Sequence, residues 1–185
     1  MNQMSYTGPD AEIQKEMEKR IEALARIADI AKQDNPIDIL FEQFLDLLID
    51  MIGVESGVVK LLEPRGNYFL KPEVFHGVTA KFLEKMTNST PGGCLCSIAL
   101  AKKSMAITSD ITRDRSISCS HCKNEGFKFL ACIPIFCHGK AVGIIQLASH
   151  KIRKAKPSET ALMECAGKIF SYAMEYYDMN LSSSR

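Results

Sequence analysis

The sequence predicts an α+β fold, an antiparallel sheet with helices packed on one face, and three observations carry that prediction. Apolar residues recur at helical spacing near both ends of the chain. Strand-like apolar runs occupy the middle. Two of those runs, Phe127–Cys137 and Ala141–Ser149, are separated only by His138-Gly139-Lys140, a connection short enough to require an antiparallel hairpin. At 185 residues, 46% hydrophobic and 24% charged, the chain has the composition of one domain with a sizeable core. Twenty-three Lys+Arg against 22 Asp+Glu leave a formal charge of +1, so neither nucleic acid nor an acidic membrane surface is an expected partner. Residues 1–10 are polar and lack the apolar stretch of a signal peptide, and no window approaches the ~20 apolar residues of a membrane span. A cytoplasmic location is expected, and residues 1–10 and 179–185 read as disordered ends.

From residue 11 to 34 apolar side chains recur at Ile13, Met17, Ile21, Leu24, Ala28 and Ala31, the stripe of a long signalling or dimerisation helix. Asn35 and Pro36 then supply an N-cap and a first-turn proline for a core-facing helix carrying Leu40, Phe41, Phe44 and Leu48, which Gly53 ends. Ser56–Leu62 reads as a strand, and Pro64-Arg65-Gly66-Asn67 as the turn into a second strand that includes Tyr68–Leu70 and Val74–His76. A short helix over Thr79–Met86, a polar loop to Gly93, a helix over Ser97–Lys103 and an extended Ser104–Thr108 follow. Asp110–Gly126 is polar with little periodicity, and loops of that length in compact domains are usually functional or tied down. The last helix starts at Ser158, with Glu159 in its first turn and Leu162, Cys165, Ile169, Ala173 and Tyr176 along one side. The three helical segments carry more apolar face than one side of a sheet covers, which predicts a homodimer through the N- and C-terminal helices.

Seven cysteines are many for a reducing compartment, where clustering points to metal or redox chemistry. Cys94-Leu95-Cys96 and Cys119-Ser120-His121-Cys122 are two close pairs separated by 22 residues. Each pair offers two thiolates from a turn-sized segment, and two such segments make the four-sulfur set that Zn²⁺ prefers. An Fe–S cluster takes the same ligands and a dithiol redox pair uses the same residues, so Cys94, Cys96, Cys119 and Cys122 are the candidate site under each reading. Zn²⁺ is the first expectation. Lys123 after Cys122 stands against covalent haem, which needs His there. Cys132, Cys137 and Cys165 have apolar neighbours and read as core packing. His76 reads as a capped surface histidine, and His121 as pointing to solvent.

From Asn35 to Tyr177 the chain resembles the GAF family of small-molecule and signal-sensing domains. The resemblance rests on Ser56–Leu62, on Gly92-Gly93 before a short helix with Ile107-Thr108-Ser109-Asp110-Ile111 after it, and on Ile133-Pro134-Ile135 with Gly139–Ile145. It implies a six-stranded antiparallel sheet, helices that pair across a dimer on one face, and a ligand cavity under loops on the other. The residues 35–178 are therefore expected to form a GAF-like domain. The cysteine-histidine pair of bilin-binding members has a counterpart in Cys137-His138, but at a hairpin turn rather than in a cavity wall. The signature of cyclic-nucleotide-binding members is not found.

Three functions follow. The first is a non-enzymatic sensory or regulatory domain whose four cysteines bind a metal, with a possible small-molecule ligand and a separate signalling output protein. The second rests on similarity to free methionine-(R)-sulfoxide reductases, which implies that Cys119 or Cys122 attacks the sulfoxide and Cys96 or Cys94 resolves it. Against that reading the chain has no Trp for a methyl-sulfur cage and no acidic residues that match the amino-group site. The third is a structural dimerisation module whose cavity is filled by side chains.

Overall fold

The computed structural model describes residues 35–62, 70–87 and 92–183 and scattered positions between 14 and 30. The chain divides into two compact units, Met1–Asp34 and Asn35–Arg185. In the first, the described positions are helical, with Ile21 exposed. Ile13, Met17, Leu24, Ala28 and Ala31 lie outside the described residues, as do the Pro64–Asn67 turn, Tyr68 and Phe69.

The second unit is an antiparallel sheet with helices on both faces, five-stranded among the described residues where the family resemblance implies six. Its strands are β1 (Ser56–Leu62), β2 (Leu70–His76), β3 (Ala106–Thr108), β4 (Phe129–Cys137) and β5 (Lys140–Ser149), in the order β2-β1-β5-β4-β3. The central strands are buried on both faces, so they read as continuous apolar runs rather than as alternations. Two prolines stand where a missing N–H is tolerated: Pro72 on edge strand β2, and Pro134 on the stretch of β4 that extends past β3. The β4–β5 hairpin closes through His138 and Gly139, both with positive φ (48° and 74°), the geometry of a type I′ turn.

Helices α1 (Ile37–Ile52) and α5 (Pro157–Ser183) pack together on one face. Phe170 of α5 lies 5.0 Å from Phe41 and 5.3 Å from Phe44 between ring centroids, all three buried. A methyl at Gly57 would meet Leu45 and Ile49 at under 3 Å, which places that side of β1 against α1. Pro36 itself occupies the cap position of α1, with extended backbone and no side-chain cap bond, so the expected Asn35 cap is displaced by one residue. Gly53 ends the helix in the left-handed conformation, as its sequence position predicts. Arg153 then ties the ends together: its guanidinium donates to the Ile52 carbonyl at 2.8 Å, pairs with Glu159 at 2.7 Å and covers the Phe129 ring. α5 continues to Ser183, past the point where the sequence suggests a tail, because no Gly or Pro interrupts it there. Among the described residues no helix is long and apolar enough to cross a membrane.

The opposite face carries α2 (Ala80–Thr87), α3 (Leu95–Lys102) and the one-turn α4 (His121–Asn124). Val58, Leu130, Ile144 and Ala148 of the sheet join Phe82, Leu95, Ile111, Ile117 and Phe127 in one apolar cluster there. The 110–126 segment is far from loose. Ile111 and Ile117 are buried, Asp110 and Asp114 accept from Thr112 and Ser116 in successive Asx turns, and the Ile111 N–H bonds Lys128 at 2.7 Å.

Gly143 supplies a test of how tightly β1 and β5 are joined. A Cβ at this position would stand 2.5 Å from the Lys60 carbonyl oxygen, which cannot move without breaking the ladder. Gly143→Ala should cost roughly 1–3 kcal/mol in urea unfolding, whereas Gly92→Ala, with open space around it, should be near neutral.

Candidate functional site

Strand alternation sends two polar side chains, Lys60 of β1 and Gln146 of β5, to the loop-covered face and buries both. The Lys60 ammonium donates to Gln146 Oε1 and to Cys96 Sγ at 3.4 Å. Neither partner is a carboxylate. A buried ammonium without a carboxylate is costly unless some other anion stands beside it. The groups beside it are sulfurs: Cys96 Sγ lies 3.3 Å from Gln146 Oε1 and 3.5 Å from Cys132 Sγ, and the Gln146 amide donates to Cys122 Sγ at 3.5 Å.

The two cysteine segments meet although 22 residues separate them. Cys94 is the N-cap of α3, its sulfur accepting from the Ser97 N–H at 3.4 Å, and Cys96 stands in the first turn. The Cys119 N–H donates to the Gly93 carbonyl at 2.9 Å, which joins the second segment to the first. Gly93 is required at this crossing: its φ is +63° and a Cβ would overlap Ser118 Oγ. Cys122 sits on α4, which Lys123 braces by donating to the Ile117 carbonyl at 2.8 Å.

Cys94, Cys96, Cys119 and Cys122, together with Cys132 and Gln146, line a void of about 10 Å³, the space of one small atom, walled elsewhere by Leu95, Ile111, Ile117 and Leu130. All seven cysteines are free thiols. The sulfurs stand wider than a bound ion would hold them. In a tetrahedral site they would be about 3.8 Å apart, a spacing that Cys96 and Cys132 approach, but among the described residues no three of these sulfurs lie within 4.8 Å of one another.

The four cysteines of the paired motifs and Gln146 also line a neighbouring cavity of about 840 Å³, together with Lys60, His121, Asn124 and, on α2, Lys81 and Lys85. A cavity filled by side chains, as the purely structural reading requires, is not what the fold builds. His121 is half-buried and stands in the lining of this cavity.

A helix N-terminus normally lowers a thiol pKa, but the opposite holds here. The Cys96 sulfur and burial push Cys94 well above the ordinary range. The Cys132 thiol above all, with burial, pushes Cys96 up to about 12. Burial pushes Cys122 up to about 12 against the pull of Lys60. Burial on its own would depress the Lys60 ammonium; the Cys96, Cys122, Cys132 and Cys94 sulfurs, once ionised, hold it above its ordinary value.

Other sequence expectations fall differently. Cys132 is buried as expected, yet its sulfur belongs to the ring around the void. Cys137 and Cys165 are only half-buried. His76 is exposed and bonded to Asp46 at 3.0 Å, in agreement with a capped surface histidine. Lys60 and Gln146 were legible only as single polar residues inside otherwise apolar strands.

Solved structures with this fold include three at low identity. The free methionine-R-sulfoxide reductase of Neisseria meningitidis, in complex with its substrate, is similar at TM-score 0.71 and 17% identity, covering 95% of this chain and 96% of that one. The GAF domain of a phosphoenolpyruvate-protein phosphotransferase from Coxiella burnetii gives 0.70 at 14%, covering 92% and 99%. The nlh2 GAF domain of A. aeolicus, in an inactive state, gives 0.65 at 17%, covering 88% and 99%. No curated protein matches the chain. The GAF domain model matches residues 36–174, and with the five-stranded sheet between a helical face and a loop-covered cavity it establishes that the chain belongs to the GAF domain family.

Proposed function

We propose that the chain is a non-enzymatic sensory or regulatory GAF domain of a reducing compartment, whose cysteine ring holds one soft metal ion, Zn²⁺ before an Fe–S cluster. The observation that carries the reading is the atom-sized void ringed by Cys94, Cys96, Cys119 and Cys122, with the buried Lys60 ammonium donating to one of them, Cys96. Four thiolates around one Zn²⁺ carry a double negative charge, and that is the counter-charge Lys60 lacks. An incoming ion supplies the positive charge that expels the protons of the raised thiols. Binding then requires the sulfurs to deprotonate and turn inward. The adjoining cavity, with Lys60, Lys81 and Lys85 in its lining, has room for a small-molecule ligand. Tyr172, Tyr176 and Met179 are exposed on α5, as is Ile39 on α1, and this apolar surface supports a homodimer through the helices that passes the signal to a separate output protein.

A second reading, a free methionine-(R)-sulfoxide reductase-like enzyme, is favoured by the sharing of Gln146 between Cys96 and Cys122. Cys119 or Cys122 would take the sulfoxide oxygen, releasing methionine and becoming a sulfenic acid. Cys96 or Cys94 would then displace water to form a disulfide, which an external dithiol reduces. A thiol nucleophile needs a depressed pKa and burial pushes Cys122 the other way, and the chain has no Trp for a methyl-sulfur cage, so the metal reading is preferred.

Elemental analysis and a visible spectrum of protein purified under reducing conditions should show about one ion per chain, colourless for zinc and coloured for Fe–S. Cys119→Ser should lose most of that ion and Cys165→Ser should keep it; a metal-free wild type that turns over free methionine sulfoxide would establish the second reading instead. Lys60→Met should weaken metal retention while leaving the apo fold as stable as before or more so, because an apolar side chain replaces a buried charge. In metal-free protein, alkylation of Cys96 and Cys122 followed by mass spectrometry should climb about tenfold per pH unit beyond pH ~10, where an ordinary thiol has levelled off. Light scattering at tens of micromolar should give a dimer mass, and Tyr172→Glu with Tyr176→Glu should halve it without changing metal content.

A further inference from the structure

We infer that Cys137, His138 and Asp178 form a second metal site, for a divalent transition ion of the zinc class, where the tip of the β4–β5 hairpin meets the distal part of α5. The ligand atoms of these three residues, one thiol, one imidazole and one carboxylate, lie within 4.8 Å of one another, which the cavity thiols do not achieve. No ligand is shared with the cysteine ring, so the inference stands apart from the proposed function.

The local fold explains how adjacent residues come to act together. Consecutive side chains on a strand point to opposite faces, so Cys137 and a strand residue after it would diverge. His138 escapes that alternation because it is the first residue of the turn, with φ +48°, and a register shift between Ile135 and Phe136 re-aims the strand just before it. Three contacts then fix the hairpin to one face of α5 at i, i+4 and i+7. The Phe136 N–H donates to Ser171 Oγ at 2.9 Å, the His138 N–H donates to Glu175 Oε1 at 2.9 Å, and His138 Nε2 lies 3.4 Å from Asp178 Oδ2. Both backbones are therefore positioned before any ion arrives, the main entropic cost of assembling a site.

The donor set selects the ion. Sulfur, nitrogen and oxygen together suit Zn²⁺, Co²⁺, Ni²⁺ or Cu²⁺, and not the all-oxygen preferences of Ca²⁺ or Mg²⁺. Three protein ligands leave a fourth position for water, or for the carboxylate of Glu175, which already touches the His138 backbone. His138 and Asp178 are each more than half exposed, at 58% and 57%, so the site is open to exchange, unlike the enclosed cavity ring.

Zinc and cobalt titrations of the full chain in reducing buffer provide the test, by calorimetry and by Co²⁺ absorption, on the wild type, Cys119→Ser, His138→Ala and Asp178→Asn. His138→Ala and Asp178→Asn should each remove one weaker equivalent and lower its affinity by more than the roughly 10–100-fold that a lost outer partner costs. Cys119→Ser should leave that equivalent in place. Should Cys119→Ser fail to fold, the loss of one equivalent in the two surface variants of the otherwise wild-type chain reads the same point. Unchanged stoichiometry and affinity in both His138→Ala and Asp178→Asn would overturn the inference and reduce the cluster to a His–Asp ion pair.

Discussion

The Lys60 ammonium is buried at the centre of a sheet, between a helical face that offers no water and a loop-covered face that offers Gln146 and sulfur. Once strand β1 is set in register between β2 and β5, alternation gives Lys60 no route to solvent except the cavity. A lone buried charge of this kind is worth several kcal/mol against folding unless its surroundings compensate it. Gln146, diagonal to it on β5, supplies an oxygen, and the thiols of Cys96, Cys122 and Cys132 surround what remains. The polarity of the cavity floor descends from this one placement, and the same charge pulls the Cys96 and Cys122 thiols down against the burial that raises them.

What holds the cysteines to that charge is a backbone crossing. The Cys119 N–H to Gly93 carbonyl bond, at 2.9 Å, requires two chain segments to pass so closely that only glycine fits on one side. Ile111 and Ile117 anchor the same loop from beneath, and the Asx turns at Asp110 and Asp114 satisfy its polar backbone without secondary structure. The loop therefore has its own reasons for order. A metal ion would act on the last few residues around Cys119 and Cys122 rather than on the whole segment, which narrows where loss of the ion would be felt.

Elements with a local signal were legible in the sequence, and those set by tertiary parity were not. Gly53 marks the end of α1 because only a left-handed residue closes it there, and Ser56–Leu62 matches β1 at both ends. The hairpin followed from two apolar runs and a turn too short for any crossover. Asn35 misled because a good capping side chain precedes a proline that takes the cap position itself. Cys132 is buried as its apolar neighbours predict, but the face it is buried on was not legible. β4 is apolar on both sides, so nothing in Phe129–Cys137 says which residues face the helices and which the cavity; the pairing of Cys132 with Gln146 across to β5 decides it. The four cysteines of the paired motifs stood out by their spacing, whereas the place of Cys132 beside the same void needed the register.

The loop-covered face and the helical face of the sheet are joined mechanically by the strand β1 itself. Gly57 and Lys60 lie three residues apart, the first pressed beneath Leu45 and Ile49 of α1, the second in the cavity floor. Gly143 abuts the Lys60 carbonyl from β5, so the two central strands have little freedom to slide independently. A change of charge beside the Lys60 ammonium therefore acts on a stiff, tightly packed strand whose other surface bears the α1–α5 pair. Packed interfaces of this kind respond by shifting between discrete arrangements rather than by bending. The close approach of Gly57 to the Leu45 and Ile49 side chains of α1, and of Gly143 to the Lys60 carbonyl, is what locks β1 between its helix and its neighbouring strand.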